Sequence, residues 1–289
     1  MVIIRFNSSS LLALTGLFGA TVIGGGVLFI LGAPMPFLVG GIIGAALFVW
    51  SYETPDRLVP KMSPYIRLCA IAMTGAMIGS RVPPTLFDTL SELWISALMV
   101  LPFVLFAHMG NYTILRRIGG YRAVDAYFAG MPGGLIEAVL LGEKAGADMR
   151  ILTVQHFVRV LSIVMFVPFM FFIITGEVVG SASGASMAQG AYDISDIGMI
   201  AAIAAAGLVA GRALKLPAAH LLGPLMLAIF AVVTFSIDIN VPQWLLNFAQ
   251  FMIGATLGAQ FSGISKDLLK RSVKLGAISV VFMLALGSA

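Results

Sequence analysis

Ten apolar segments, several of them long enough to cross a bilayer, follow one another along the 289 residues of this chain. They cover residues 8–31, 36–50, 66–80, 94–113, 123–142, 151–175, 196–213, 217–237, 244–260 and 273–287. Hydrophobic residues make up 60% of the sequence and charged residues only 10%, which argues against a soluble domain. Transmembrane β-strands would instead show short segments of alternating polarity. The sequence therefore predicts an all-α polytopic membrane protein.

The first apolar run, residues 11–31, could be mistaken for a secretory signal. Its length is close to the roughly 20 residues of a spanning helix and exceeds the roughly 7–15 residues of a signal core. The sequence Ala33-Pro34-Met35-Pro36 that follows does not resemble a cleavage site. We therefore expect a retained first helix in a multi-pass protein of the bacterial inner membrane.

The charge of the chain points to the membrane rather than to nucleic acid. The formal net charge is +4, but the basic residues lie in short loops between apolar segments, as expected of cytoplasmic loops. Cys69 is the single cysteine, so no disulfide framework or thiolate metal site is expected. We predict no metal, no cofactor and no nucleic-acid partner. The expected partners are the lipid bilayer and a small-molecule substrate, and a homo-oligomer is compatible with the sequence.

Two parts of the first half of the chain recur in the second half. The matched sequences are Pro34 and Leu38-Val39-Gly40 with Pro217 and Leu221-Leu222-Gly223, and Gly75 and Gly79 with Gly254 and Gly258. The matches keep their order and nearly keep their spacing, which indicates an internal duplication. We therefore divide the chain into a first repeat at 1–175, a polar connector at 176–195 and a second repeat at 196–289. The four matched glycines are predicted to allow close helix packing.

The loop charges indicate that the two repeats are inverted with respect to the membrane. The loop before the Gly75 helix contains Arg57 and Lys61, whereas the equivalent loop 238–243 contains a single aspartate. The loops after the two helices show the opposite contrast, since four basic residues follow the Gly254 helix. By the positive-inside rule, equivalent loops then lie on opposite sides of the membrane, with the N-terminus in the cytoplasm.

Inversion requires an odd number of crossings per repeat, yet the first repeat has six apolar segments. Segment 123–142 contains Pro132-Gly133-Gly134, which removes a backbone donor and permits unusual backbone angles. This interrupted segment is the best candidate for a re-entrant hairpin that does not cross. The alternative is that a short segment, 36–50 or 66–80, is a half-helix while 123–142 crosses with a break. Charge does not separate the two.

Polar residues concentrate around this break and mark the expected functional site, because such residues inside a membrane usually line a cavity or an ion path. The residues predicted to bind a substrate or ion are Pro132, Gly133, Gly134, Glu137, Gln155, His156 and Arg159. The last three project from adjacent parts of one helix face, and Asp148 is expected to cap that helix. Two roles for Arg159 stay open: an ion pair with Glu137, or, with His156, reception of an anionic substrate or relay of a proton.

Three sequences together resemble the signature of the AbrB family of bacterial inner-membrane proteins: Pro132-Gly133-Gly134-Leu135-Ile136-Glu137, Gly146-Ala147-Asp148 and His156-x-x-Arg159. The resemblance covers essentially the whole chain and implies a duplicated membrane unit. Family members carry the labels ammonia monooxygenase, regulator of gene expression and transporter. They generally repeat the Pro-Gly-Gly and His-x-x-Arg block in the second copy, whereas this chain stops at Ala289. The second repeat is therefore expected to be incomplete.

We predict a secondary transporter of a small metabolite, with an anionic metabolite as one option and a proton as the expected coupling ion. A membrane monooxygenase would need several convergent histidine or carboxylate ligands, and the chain contains three histidines. We therefore do not expect an enzyme. A direct transcription regulator is also not expected, because no DNA-binding helix pair is visible. An indirect effect on gene expression stays open.

Overall fold

The structure is a computed structural model that describes residues 8–54, 63–82, 94–132, 135–176, 192–235 and 237–287. Within these ranges the α-helices, α1 to α11 in chain order, are Ser8–Ile30, Pro36–Tyr52, Pro64–Gly79, Trp94–Thr113, Ala123–Gly130, Leu135–Lys144, Met149–Thr175, Ile194–Ala213, Ala219–Phe235, Gln243–Gly258 and Lys266–Gly287. The prediction of an all-helical chain is confirmed for the described residues.

Four of the described helices are long and apolar enough to cross a membrane. Their spans are Leu12–Ile30, Leu98–Ile118, Met149–Thr175 and Ile194–Ala213. Three further apolar helices, α2, α3 and α9, are shorter. The spans fit a helical membrane protein, because about 20 residues of helix match the thickness of the hydrocarbon core.

Helix ends follow the local chemistry of the sequence. Pro36 and Pro64 occupy the first positions of α2 and α3, where the missing N–H has no intrahelical partner to lose. At the other end of the chain, α11 begins at Lys266 rather than near residue 273, where its apolar segment starts. Hydropathy misses this first part because it is charged, although Asp267 in the first turn suits the positive end of the helix dipole.

The chain forms two compact units that do not follow the order of the sequence. The first unit consists of Met1–Pro84 and Pro168–Gly263, and the second of Thr85–Val167 and Ile264–Ala289. The first unit therefore contains α1 to α3 and α8 to α10, which are the matched helices of the predicted duplication. The second unit contains α4, α5, α6, α11 and most of α7.

Helix hairpins in the first unit are packed backbone to backbone through glycine. A Cβ atom added at Gly24 in α1 would lie 2.2 Å from the carbonyl oxygen of Gly40 in α2. The hairpin of α8 and α9 repeats this contact, because a Cβ at Gly223 would lie 2.1 Å from the carbonyl oxygen of Gly207. No residue larger than glycine fits at such a distance without a backbone shift, so the close approach depends on these residues.

Contacts between the two matched sets of helices are reciprocal. The glycines of α3 and α10 each face a carbonyl oxygen of the partner helix, and an added Cβ would lie 2.5 Å away for Gly75 and Leu221, 2.3 Å for Gly79 and Leu225, 2.9 Å for Gly254 and Leu38, and 2.8 Å for Gly258 and Ile42. Residue numbers rise together in each pair, so α3 runs parallel to α9 and α10 runs parallel to α2. Because the contacting residues of one pair match those of the other, the arrangement has the form of a two-fold contact.

Candidate functional site

The helix break lies where Pro132 predicts it. Helix α5 ends at Gly130, and Met131 follows with an extended backbone at φ −62° and ψ 125°. Helix α6 begins at Leu135. Gly133 and Gly134 lie outside the described residues, as does the side chain of Glu137.

Helices α5 and α6 form a hairpin rather than one broken rod. The guanidinium of Arg122, just before α5, donates to the carbonyl oxygen of Gly146, just after α6, at 3.1 Å. The N–H of Asp148 donates to the Asp125 carboxylate at 2.8 Å. A continuous helix of 20 residues would separate its ends by about 30 Å. The chain therefore returns from the break to the point where it started.

A buried carboxylate holds this hairpin closed. Asp125 accepts two hydrogen bonds from Arg122, from Nε at 2.7 Å and from Nη2 at 2.9 Å, and its side chain is almost fully buried. The hydrogen bond and the charge of Arg122, with the N–H of Asp148, hold the pKa of the Asp125 carboxyl below its ordinary value. Sequence reasoning missed this pair, although a spacing of three residues at the start of a helix was a usable signal.

The Asp148 side chain stands at the N-terminus of α7. Its Oδ1 accepts the N–H of Arg150 at 2.9 Å, which satisfies one of the backbone donors left free at a helix start. Because the Asp148 N–H also binds Asp125, the start of α7 is tied to the open end of the hairpin. The cap therefore fixes where α7 enters the second unit.

Arg159 meets the other end of the hairpin, at the break. Its Nη2 donates to the carbonyl oxygen of Met131 at 2.8 Å and its Nη1 to that of Ala129 at 3.3 Å. Carbonyls at a helix C-terminus lack intrahelical partners and carry the negative end of the dipole, so a cation is favoured there. Among the side chains that the structure describes, no carboxylate forms an ion pair with Arg159. The predicted pairing with Glu137 stays a prediction, because that side chain is not described.

His156 and Gln155 are buried one turn closer to the start of α7, with exposed fractions of 2% and 3%. Gln155 Nε2 donates to the Tyr121 hydroxyl at 3.0 Å. His156 Nδ1 lies 3.1 Å from the Leu152 carbonyl oxygen, and since a carbonyl only accepts, Nδ1 is the protonated nitrogen. The other nitrogen, Nε2, is then an acceptor in the neutral ring, and it has no hydrogen-bond partner of acceptable geometry in the described part of the chain.

A second unpaired acceptor lies at the end of α5. A Cβ added at Gly130 would lie 3.4 Å from the Asn111 Cβ, which places Asn111 of α4 beside the break. Asn111 is 3% exposed, its Nδ2 lies 3.5 Å from the Met283 sulfur, and its Oδ1 has no hydrogen-bond partner among the described residues. Sequence reasoning missed Asn111, although a lone asparagine within an apolar membrane-length segment was the signal.

The structure thus brings part of the predicted site together. Met131 and Pro132, Gln155, His156 and Arg159 belong to the second unit, where Asn111, Tyr121 and Asp125 join them. The four matched glycines pack helices in the first unit instead. In the described ranges, no group of three or more His, Cys, Asp or Glu side chains is placed to hold a metal ion.

Membrane-length helices around a buried, interrupted hairpin define this chain as an α-helical membrane protein. It belongs to the AbrB family, because the family described as "Transition state regulatory protein AbrB" matches residues 37–289. The family resemblance of the sequence motifs is thereby confirmed.

Two relatives are similar to most of this chain. "Uncharacterized protein YhjN" of Bacillus subtilis strain 168 is 25% identical over 287 residues, which cover 91% of this chain and 74% of the relative. "Putative regulator AbrB" of Escherichia coli strain K12 is 25% identical over 245 residues, which cover 83% of this chain and 67% of the relative. No solved structure matches the chain.

Proposed function

We propose that this protein is a secondary transporter that binds a small substrate at the break between α5 and α6. The observation that carries the proposal is the contact of Arg159 with the carbonyl oxygens of Ala129 and Met131. A buried cation at the open end of a half-helix, next to two unpaired acceptors, is a polar niche inside apolar helices. Transporters use interrupted helices of this kind because freed backbone groups and helix ends can bind a solute at membrane depth.

We also propose that the two repeats are inverted. The reciprocal contacts support this, because they pair α3 with α9 and α2 with α10, each in a parallel sense. If α2 and α3 are consecutive crossings, they run in opposite directions. A rotation that exchanges the repeats then carries α2 onto a helix of opposite direction, as the loop charges require. The two arguments are independent, since one uses packing and the other uses charge.

The hairpin is proposed to re-enter the membrane from the cytoplasmic side. Helix α5 has eight residues and is therefore about 12 Å long, less than half of the roughly 30 Å hydrocarbon core. Arg159 lies ten residues into α7, which corresponds to about 15 Å from the end that Asp148 caps. Both lengths support a break near the middle of the bilayer.

The niche suggests the chemistry of the substrate. Arg159 uses two of its five N–H donors on carbonyl groups and retains others for a carboxylate or phosphate. Asn111 Oδ1 and His156 Nε2 are acceptors that suit a hydroxyl or amino group of the same molecule. We therefore propose a small hydroxy or amino acid as the substrate class. His156 Nε2 is also the proposed proton acceptor for coupling.

The test begins with purified protein and a panel of small hydroxy and amino acids, screened by thermal stabilisation. Compounds that stabilise the wild type are then tested for pH-driven uptake into proteoliposomes. Arg159→Ala and Asn111→Leu should weaken binding by about 10- to 100-fold, since a hydrogen bond to a charged group contributes about 1.5–3 kcal/mol. Arg150→Ala, on the same helix but exposed, should bind as the wild type does. Equal stabilisation of all four proteins would contradict the proposed site.

The names of the family and of one relative point to regulation. We propose that any effect on gene expression follows from movement of the substrate, so Arg159→Ala should abolish uptake and the regulatory effect together. Loss of uptake with an intact regulatory effect would favour a separate regulatory role. Metal analysis tests the monooxygenase alternative, because stoichiometric copper or iron in the purified protein would contradict a metal-free transporter.

A further inference from the structure

An apolar cavity of about 330 Å³ opens between α3 and α10 in the first unit. Its walls include Cys69, Ala70 and Met73 on α3, and Phe248, Ala249 and Met252 on α10. Acidic and basic side chains are absent from the walls in the described part of the chain. A volume of this size is large enough for a small ligand or a chain segment, and apolar walls select an apolar occupant.

The cavity lies on the relation that exchanges the two repeats. Cys69 and Phe248 are 179 residues apart, as are Ala70 and Ala249, and Met73 and Met252. This is also the separation of the matched glycines Gly75 and Gly254. The two walls are therefore equivalent positions of the duplicated unit, and the cavity marks the line along which the repeats meet.

Amphipathic aromatic residues stand near the starts of both helices. Tyr65 is the second residue of α3 and Trp244 the second residue of α10, again 179 residues apart, and both are well exposed at 69% and 49%. In the proposed inverted arrangement these helix starts face opposite membrane surfaces. Tyrosine and tryptophan concentrate at those two surfaces, where one end of the ring is apolar and the other is wet. The cavity between them then lies at the depth of lipid tails.

We propose that this cavity is a binding site for the acyl chain of a membrane lipid. An acyl chain matches the walls, since it is apolar along its length and needs no charged partner within the cavity. The surrounding bilayer supplies it at the depth that the aromatic residues define. The site rests on the membrane placement proposed above for α3 and α10, but not on transport or on the substrate niche.

The experiment uses full-length protein in vesicles of phosphatidylcholine that contain a small fraction of phosphatidylcholine with a photoreactive diazirine in its acyl chain. After illumination, labelled peptides are located by mass spectrometry. Label should concentrate on Met73 and Met252 relative to Leu98, an exposed apolar residue of α4 that contacts only the general lipid environment. Equal labelling of the three positions would overturn the proposal.

Two substitutions make the test specific. Cys69→Trp adds bulk to an exposed wall residue and should lower the labelling of Met252 by roughly tenfold, the change expected when about two methylene groups lose an apolar contact. Phe248→Ala enlarges the cavity and should keep or raise the labelling. The matched control Leu98→Trp should leave it unchanged. If a second copy of the chain covers the cavity instead, Cys69 should form an intermolecular disulfide on oxidation and lipid labelling should be weak, which would overturn the proposal. Arg159→Ala should not alter the labelling, so failure of the transport proposal is distinguishable from failure of this one.

Discussion

The glycine contact between α1 and α2 permits a prediction whose size follows from the structure. A Cβ at Gly24 would lie 2.2 Å from the Gly40 carbonyl oxygen and 3.1 Å from the Gly44 Cα, so Gly24→Ala forces the two backbones apart by about 1 Å, to reach the usual C···O contact. Overpacking of this kind costs about 1–3 kcal/mol. Alanine also gains about 1 kcal/mol of helix propensity over glycine. The net destabilisation is then about 1–2 kcal/mol.

Gly26 provides the matched control in the same helix, because a Cβ there would meet nothing within 4 Å. Gly26→Ala carries the propensity gain alone and should be neutral or stabilising. The difference between the two variants therefore isolates the packing cost, about 1–3 kcal/mol. In the second repeat, Gly207→Ala should behave as Gly24→Ala does, and Gly198→Ala as Gly26→Ala does, because Gly198 is also free of neighbours.

The assay is thermal unfolding of the purified variants in one detergent at one protein concentration. Gly24→Ala and Gly207→Ala should unfold at lower temperature than their controls by similar amounts. If Gly24→Ala is as stable as Gly26→Ala, the backbone contact between α1 and α2 is not as close as described, and the packing argument fails. A cost at Gly24 without one at Gly207 would refute the equivalence of the two hairpins.

Two other predictions concern buried polar groups. Gln250→Leu should stabilise the protein by about 1–3 kcal/mol, because neither amide atom of Gln250 has a hydrogen-bond partner in the described part of the chain, whereas Gln155→Leu should destabilise it by removing the bond to Tyr121; equal effects in thermal unfolding would count against this reasoning. Asp125→Asn should be less stable than the wild type at neutral pH, because the lowered pKa of Asp125 means that its charged form stabilises the fold. That stabilisation is present above the ordinary carboxyl pKa of about 4 and is lost as pH falls through the lowered value, so the gap between the two proteins should close in acid; a gap that is constant with pH would exclude the charge of Asp125 as its cause.

Much of the fold follows from local features of the sequence. Apolar length predicts α1 and α7, and Pro132 predicts the end of α5, because hydropathy and the missing proline donor act within a few residues. The duplication is visible because Gly75 and Gly254 occupy matched positions. These signals need no knowledge of which segments touch.

The remaining features depend on contacts between distant segments. Charge alone does not distinguish a crossing helix from a hairpin at 123–142, and the hairpin is evident only from the bond between Arg122 and Gly146. Asn111 joins the site from a helix 48 residues before Arg159, with no motif to connect them. Division of the chain into two units is equally invisible in sequence order, because each unit combines segments from both ends of the chain.

The inversion of the repeats can be tested most directly with two single cysteines at equivalent turns. Leu31, after α1, and Leu214, after α8, are exposed at 71% and 70% and belong to matched positions of the duplication. In a Cys69→Ala background, Leu31→Cys and Leu214→Cys are each treated in intact cells with a membrane-impermeant maleimide, before and after permeabilisation. Inverted repeats predict that Leu31→Cys reacts in intact cells and Leu214→Cys reacts only after permeabilisation. Reaction of both cysteines from the same side would contradict the inverted arrangement.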